Sequence, residues 1–283
     1  MDLLTLALGV LAVGALYGLD RVAVTVVKPV PRPADPIAPR PGVSQEDVRI
    51  PSGDHILTGR LLRPDHAVEH ALVLLAHGWG ASHGALLDLA HPLVAAGHPV
   101  LLFDIRGHGG NRAVPYVTVR HFRDDIEAVV AWAADRHPDR RRVLVGHSMG
   151  GAGAVLAAAR GAPVDGLVLL ATPADVLEVT ARYLDSKGLP GGLLVVALRP
   201  FWWPRVGGTF GPLAPERRIG EVAAPILILQ PEDDRRVPRD HPRRLARAAG
   251  MDFELVQGTG HTDILEHPEL HRRVLRFLED LVP

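Results

Sequence analysis

Residues 143–150 read Val143-Leu144-Val145-Gly146-His147-Ser148-Met149-Gly150. A short apolar, β-branched run fits a buried strand, and the small residues after it predict a sharp turn into a helix with Ser148 on the corner. The glycines two positions either side of Ser148 have a steric reason, because a strained turn packed between strand and helix leaves no room for side chains. The chain holds five serines and 29 glycines, so chance would flank one of them this way in roughly 5% of such compositions. A plain small-residue turn is the weaker reading. Ser148 is read as a nucleophile.

Working outward from this corner, strands and helices alternate. Val48–Ile50 and Ile56–Leu62 form an opening hairpin around Ser52-Gly53-Asp54, with β-rich flanks and the right turn residues. The runs Ala71–Ala76, Val100–Phe103, Arg142–Val145, Gly166–Ala171, Ile226–Gln230 and Phe253–Val256 read as strands. Helical patterns cover residues 85–96, 119–136, 150–160, 242–249 and 268–281. Continuous apolar strands separated by amphipathic helices specify an α/β fold, a mainly parallel eight-stranded sheet with helices on both faces. Between the sixth and seventh strands, Thr172–Ala223 is far longer than a plain connection and is expected to be an inserted lid.

At 283 residues and 47% apolar content, the chain is long enough for one large core. A net charge of -1 gives no electrostatic footprint for nucleic acid. There is no Cys, which excludes disulfides and thiolate chemistry. Leu3–Leu19 carries no formal charge and is bounded by Asp2 and by Asp20 and Arg21. At 17 residues it sits at the short end of what spans a bilayer. It lacks the basic leading region and clear cleavage site of a signal peptide, so a single membrane span is preferred to secretion after cleavage. Residues 1–28 are thus expected to be an anchor and residues 29–44 a proline-rich spacer, with six prolines in Pro29–Gly42. The main domain is expected over 45–283. Arg21, Lys28, Arg32 and Arg40 follow the apolar run, and the positive-inside bias keeps that side cytoplasmic.

The segments after the strands resemble the α/β-hydrolase fold family, specifically its lysophospholipase and serine aminopeptidase S33-like branch, over roughly residues 45–283. His77-Gly78-Trp79-Gly80 follows the third strand and Asp104-Ile105-Arg106-Gly107-His108-Gly109 the fourth. The Ser148 elbow follows the fifth, Asp233-Asp234-Arg235-Arg236-Val237-Pro238 the seventh and Gly258-Thr259-Gly260-His261 the eighth. Five segments in the family's order carry the resemblance. It implies a Ser148–His261–Asp234 triad, in which His261 is the base and the acid lies three residues before Val237-Pro238. Asp233 and Asp175 are the alternatives for the acid. It also implies an oxyanion site built from the backbone N–H groups of Trp79 and Met149. His77, His147, His108 and His267 are read as structural, and Asp104, Arg106 and Gly107 as bracing the loop beside the elbow.

A serine hydroxyl needs such a base within reach, and the base needs a carboxylate to fix its tautomer. The expected chemistry is hydrolysis of a carboxylic ester, of small-molecule or lipid-like character, through an acyl-enzyme and without cofactor or metal. Amide, peptide or thioester hydrolysis by the same triad is one alternative, and a non-catalytic binding protein on the same fold is another. Epoxide hydrolase and dehalogenase chemistry is disfavoured, because those relatives carry Asp where this chain has Ser148. Trp79, Phe201, Trp202 and Trp203 are candidate pocket residues. The expected lid could also dip into a membrane interface, where Trp is favoured. Oligomeric state is left open.

Overall fold

The computed structural model describes residues 3–32, 36–65 and 71–281. Residues 33–35 of the expected spacer, and the extreme residues of the expected anchor and hydrolytic domain, lie outside these.

The sheet has eight strands in the order β1-β2-β4-β3-β5-β6-β7-β8. β1 (Val43–Ser52) and β2 (His55–Pro64) form the expected hairpin, and β2 also runs antiparallel to β4 (Val100–Phe103). β3 (Leu72–Ala76), β5 (Arg142–His147), β6 (Gly166–Leu170), β7 (Ile226–Pro231) and β8 (Glu254–Val256) continue it in parallel. β3, β4 and β6 are buried on both faces, as parallel strands sandwiched by helices must be. One layer of core joins the sheet to α3 (Val119–Arg136), α4 (Met149–Ala158) and α7 (Asp240–Ala249), through residues such as Phe122, Ile126, Val155 and Leu245. The other joins it to α2 (Leu87–Ala95) and α8 (Pro268–Leu281), through Leu89, Leu93, Val274 and Leu278.

Between β6 and β7 the chain forms α5 (Val176–Asp185), α6 (Gly191–Val206) and three short 3-10 turns. Asp175 caps α5 by accepting the Leu177 N–H at 2.7 Å, and α6 ends at Gly207 in the left-handed region.

The N-terminal helix α1 spans Leu3–Val26, within the expected 1–28 segment, and its last turns carry and follow the charges at Asp20 and Arg21. Those turns are packed: Ala23 and Val24 are buried, and Ala23 joins Leu184, Val195, Leu198 and Trp202 in one apolar cluster. Where described, the proline-rich stretch is not a free spacer. Pro29 and Ile37 are buried, the latter against the sheet's second core layer, and the Val27 carbonyl accepts the Val117 N–H at 2.8 Å. Apolar residues within a charged, proline-rich segment have here found a surface to cover.

Candidate active site

Ser148 stands between β5 and α4 with φ 54° and ψ −118°, a conformation a side-chain-bearing residue adopts only when its surroundings force it. The forcing is visible. A Cβ on Gly146 would meet the Gly151 backbone at 2.5 Å, and one on Gly150 would meet the Ala76 carbonyl oxygen at 2.3 Å. The Ser148 N–H donates to the Leu170 carbonyl at 2.8 Å, tying the corner to β6. The strain raises the hydroxyl above the strand ends.

The other partners arrive on loops beyond β7 and β8. His261 Nε2 lies 3.0 Å from Ser148 Oγ, and His261 Nδ1 lies 2.8 Å from Asp234 Oδ2. Asp234 is buried; its Oδ1 accepts the backbone N–H groups of Arg236 (2.8 Å) and Val237 (2.9 Å). Those two bonds leave Oδ2 to face the imidazole. The neighbouring Asp233 is exposed and Asp175 serves as the α5 cap. Of the three candidate acids, only Asp234 bonds His261. Such a chain can accept the hydroxyl proton at Nε2 while the carboxylate holds Nδ1–H in place.

His147, read from sequence as structural, holds the loop that carries His261. Its Nε2 lies 2.8 Å from the His261 carbonyl oxygen, and since a carbonyl only accepts, Nε2 carries the proton. Burial first, then the neighbouring His261, push the His147 pKa down to about 3. His77 is likewise neutral: Nδ1–H donates to the Gly78 carbonyl at 2.7 Å while Nε2 accepts the Ile105 N–H at 3.1 Å. Burial, reinforced by His108, lowers its pKa to about 4. Asp104 is drawn upward by burial, but the hydrogen bonds and charge of His83 outweigh this and hold it below the usual carboxylate range. Arg106 braces its loop through Asp125 and Ser52.

A Cβ on Gly78 would lie 3.1 Å from Ser148 Cβ, so the Gly78-Trp79 backbone borders the serine. The Met149 N–H opens α4, where no intrahelical acceptor exists. Trp79 packs beside His108 and Phe122 with 36% of its surface exposed.

The aromatic trio of α6 does not share one pocket. Consecutive helical residues point about 100° apart, and here Trp202 turns to α1, its indole N–H donating to the Ala23 carbonyl at 2.9 Å. Phe201 packs at the edge of the same cluster, while Trp203 faces outward with 56% exposed. The segment between β6 and β7 instead shares one apolar cluster with Met149, α3 and α4 through Val176, Val206, Phe210 and Leu213. These residues carried no signal in the sequence beyond being apolar.

Among the described residues, Glu178, Asp240 and His241 bring possible metal-ligating atoms within 4.8 Å of one another. Arg244 already sits there, 2.5 Å from Glu178 and 3.7 Å from Asp240. The guanidinium meets the acidic charge and ties α5 to α7.

The Hydrolase_4 family model, described as serine aminopeptidase S33, matches residues 67–186. Over 82 residues the chain is 39% identical to a monoacylglycerol lipase of Mycolicibacterium smegmatis, covering 28% of this chain and 29% of that one. Over 233 residues it is 27% identical to the lysophosphatidylserine lipase ABHD12 of Mus musculus, covering 75% of this chain and 56% of that one. The matches thus span less than a third of the first relative's length and about half of the second's. In fold it resembles an esterase of Pyrococcus furiosus with a TM-score of 0.70 at 22% identity, over 89% of this chain and 98% of that one. The chain has the α/β-hydrolase fold, and the relatives it is similar to are of lipase and esterase type.

Proposed function

We propose that the protein is a membrane-anchored serine hydrolase that cleaves a carboxylic ester of lipid-like character. The observation that carries this reading is the continuous hydrogen-bonded chain from Ser148 Oγ through His261 to Asp234. In the proposed reaction His261 Nε2 takes the Ser148 proton as Oγ attacks the carbonyl carbon. The backbone N–H groups of Trp79 and Met149 receive the oxyanion. The protonated His261 then gives its proton to the leaving alcohol, leaving an acyl-Ser148. Water, deprotonated by the same nitrogen, releases the acid and restores the serine. The segment between β6 and β7 serves as the lid, with Val206, Phe210 and Leu213 supplying apolar wall near Met149.

For anchoring, the support is α1, a 24-residue apolar helix long enough to cross a bilayer. The burial of Ala23 against α6 favours a retained helix over a cleaved signal. The basic residues after α1 favour a cytoplasmic catalytic domain. A fluorophosphonate probe tests the chemistry. Labelling of the wild-type chain that vanishes in Ser148→Ala is expected, and a folded wild type that takes no label would return the chain to the class of non-catalytic binding proteins.

A second reading, amide hydrolysis by the same residues, is favoured by the aminopeptidase description of the matching family model. Comparing esters of graded acyl length with aminoacyl amides separates the two. Faster turnover of the amides would overturn the ester assignment.

A further inference from the structure

The helix α6 has an unusual surface. Its only charged residues are Arg199 and Arg205, and its apolar residues lie all round it, a pattern that belongs to helices with no face in water. Half of that requirement is met inside the protein. Gly191, Val195, Leu198, Trp202 and Val206 are buried, Trp202 and Leu198 in the cluster shared with α1 and α5. The opposite stripe is not covered. Leu193, Val196, Pro200 and Trp203 recur at i, i+3, i+7 and i+10 on one face, and Leu193, Val196 and Trp203 are 70%, 64% and 56% exposed. Beyond α1, eight large apolar residues are exposed among the described residues. Five of them, including these three, fall on α5, α6 and their connection, and a sixth is Trp79 beside the serine. Scattered exposed apolar residues need no explanation, but a contiguous group does.

The position of α1 says what covers that stripe. Its last two turns are fixed to α6 by the Trp202–Ala23 hydrogen bond and by the Asp20–Arg205 ion pair at 2.7 Å. From Leu19 back to Leu3 the helix is exposed and uncharged. The contact therefore occupies residues 20–26, about 10 Å of helix at 1.5 Å per residue. That is comparable with the polar layer of one leaflet, about 5–8 Å thick. If Leu3–Leu19 fills the hydrocarbon, α6 lies at the depth where amphipathic helices bury an apolar face and where Trp is favoured.

We propose that α1 and α6 form one membrane-docking unit, in which the Leu193–Val196–Trp203 face rests in the headgroup–acyl boundary of the bilayer that α1 enters. The occupant of the exposed stripe is thus lipid, and a lipid ester reaches Ser148 from the leaflet beneath α6 without crossing water. The inference rests on the reading of α1 as a membrane anchor.

The chain has no cysteine, so single-cysteine variants of the full chain can be labelled cleanly. Leu11→Cys, Val196→Cys and Asp139→Cys, each carrying a nitrobenzoxadiazole fluorophore, are reconstituted in phosphatidylcholine vesicles containing a lipid-attached nitroxide. Emission from position 196 is expected to shift to the blue and to lose intensity to the nitroxide, as position 11 does, while position 139 on the far α3–β5 loop is unaffected. A label at 196 that behaves like the one at 139 while that at 11 is quenched overturns the docking unit and leaves the anchor intact. Failure of the label at 11 overturns the anchor reading and this inference with it. A blue shift at 196 that ignores the nitroxide but grows with protein density would mean a second copy of the chain covers the stripe, which also overturns the proposal.

Discussion

Asp234→Asn is the substitution that tests the site most sharply, because the structure dictates which way the amide must face. Asp234 Oδ1 accepts two backbone N–H groups, from Arg236 and Val237, and Oδ2 faces His261 Nδ1 at 2.8 Å. An asparagine has one acceptor oxygen. Placing its NH2 against two N–H donors would lose both bonds, so its oxygen stays there and the NH2 points at His261. Nδ1 must then accept, which puts the imidazole proton on Nε2, where it faces Ser148 Oγ and can no longer receive the hydroxyl proton. The wrong tautomer costs about four orders of magnitude in kcat in the chymotrypsin-like type case, or about 5 kcal/mol of transition-state stabilisation. The same size is expected here in kcat/KM for a chromogenic ester, with a matching loss in the rate of fluorophosphonate labelling. Stability should fall by only about 1–2 kcal/mol, since shape and both backbone bonds survive. Asp233→Asn, at an exposed neighbour, should leave turnover within about twofold. If Asp234→Asn keeps turnover within tenfold of wild type, or if Asp233→Asn is the more damaging change, the assignment of the acid is wrong.

Gly150→Ala should cost about 1–3 kcal/mol and abolish labelling, because its new Cβ would lie 2.3 Å from the Ala76 carbonyl and neither backbone can yield; thermal denaturation and probe incorporation read the two effects. Acid should destabilise the fold through its buried histidines. His147 and His77, lowered to about 3 and about 4 chiefly by burial, stay neutral in the folded chain while the unfolded chain protonates them near 6.5. Stability is therefore complete above pH 6.5 and falls towards pH 4 by about 1.4 kcal/mol per pH unit for each histidine. A flat urea midpoint between pH 7 and 5 would contradict this. Trp202→Ala should cost about 3–5 kcal/mol and Trp203→Ala less than about 0.5 kcal/mol in detergent, since the first is 3% and the second 56% exposed; equal shifts in melting temperature would mean that α6 does not pack on α1 as described.

The features legible in the sequence were those whose physics is local. Gly146 and Gly150 announce the elbow because two nearby backbones exclude any side chain there. Asp234 is legible through the family resemblance, which puts the acid three residues before Val237-Pro238, and in the structure the Val237 N–H is one of the donors that orient the carboxylate. What escaped were relations between distant segments. His147 sits beside the serine in the chain, but its bond goes to a carbonyl 114 residues away. Hydropathy ended the uncharged run at Asp20 and Arg21, whereas the helix runs on to Val26, where Asp20 finds Arg205 and Ala23 finds α6. In α6 itself the residues are apolar on every side. No periodicity could say that Trp202 turns inward and Trp203 outward.

The two halves of the site differ in how they are held. Ser148, Asp234 and His261 ride on the ends of β5, β7 and β8, and each is fixed by bonds that do not involve α5 or α6. The serine is tied to Leu170, the carboxylate to Arg236 and Val237, and the base's loop to His147 and, through Thr259, to the Asp233 N–H. A strained serine costs of the order of 1–3 kcal/mol and persists only if its surroundings over-determine it, which a sheet buried on both faces can do. Val176, Val206, Phe210 and Leu213, which share an apolar cluster with Met149, belong to the other half, the segment between β6 and β7, and that segment packs on α1 through one apolar cluster and on α3 and α4 through another. Under the proposed function, chemistry and substrate choice are thus carried by separable parts. A change at Leu193, Val196 or Trp203 should alter which esters arrive at Ser148, while the rate at which a small soluble ester acylates it follows from the sheet alone.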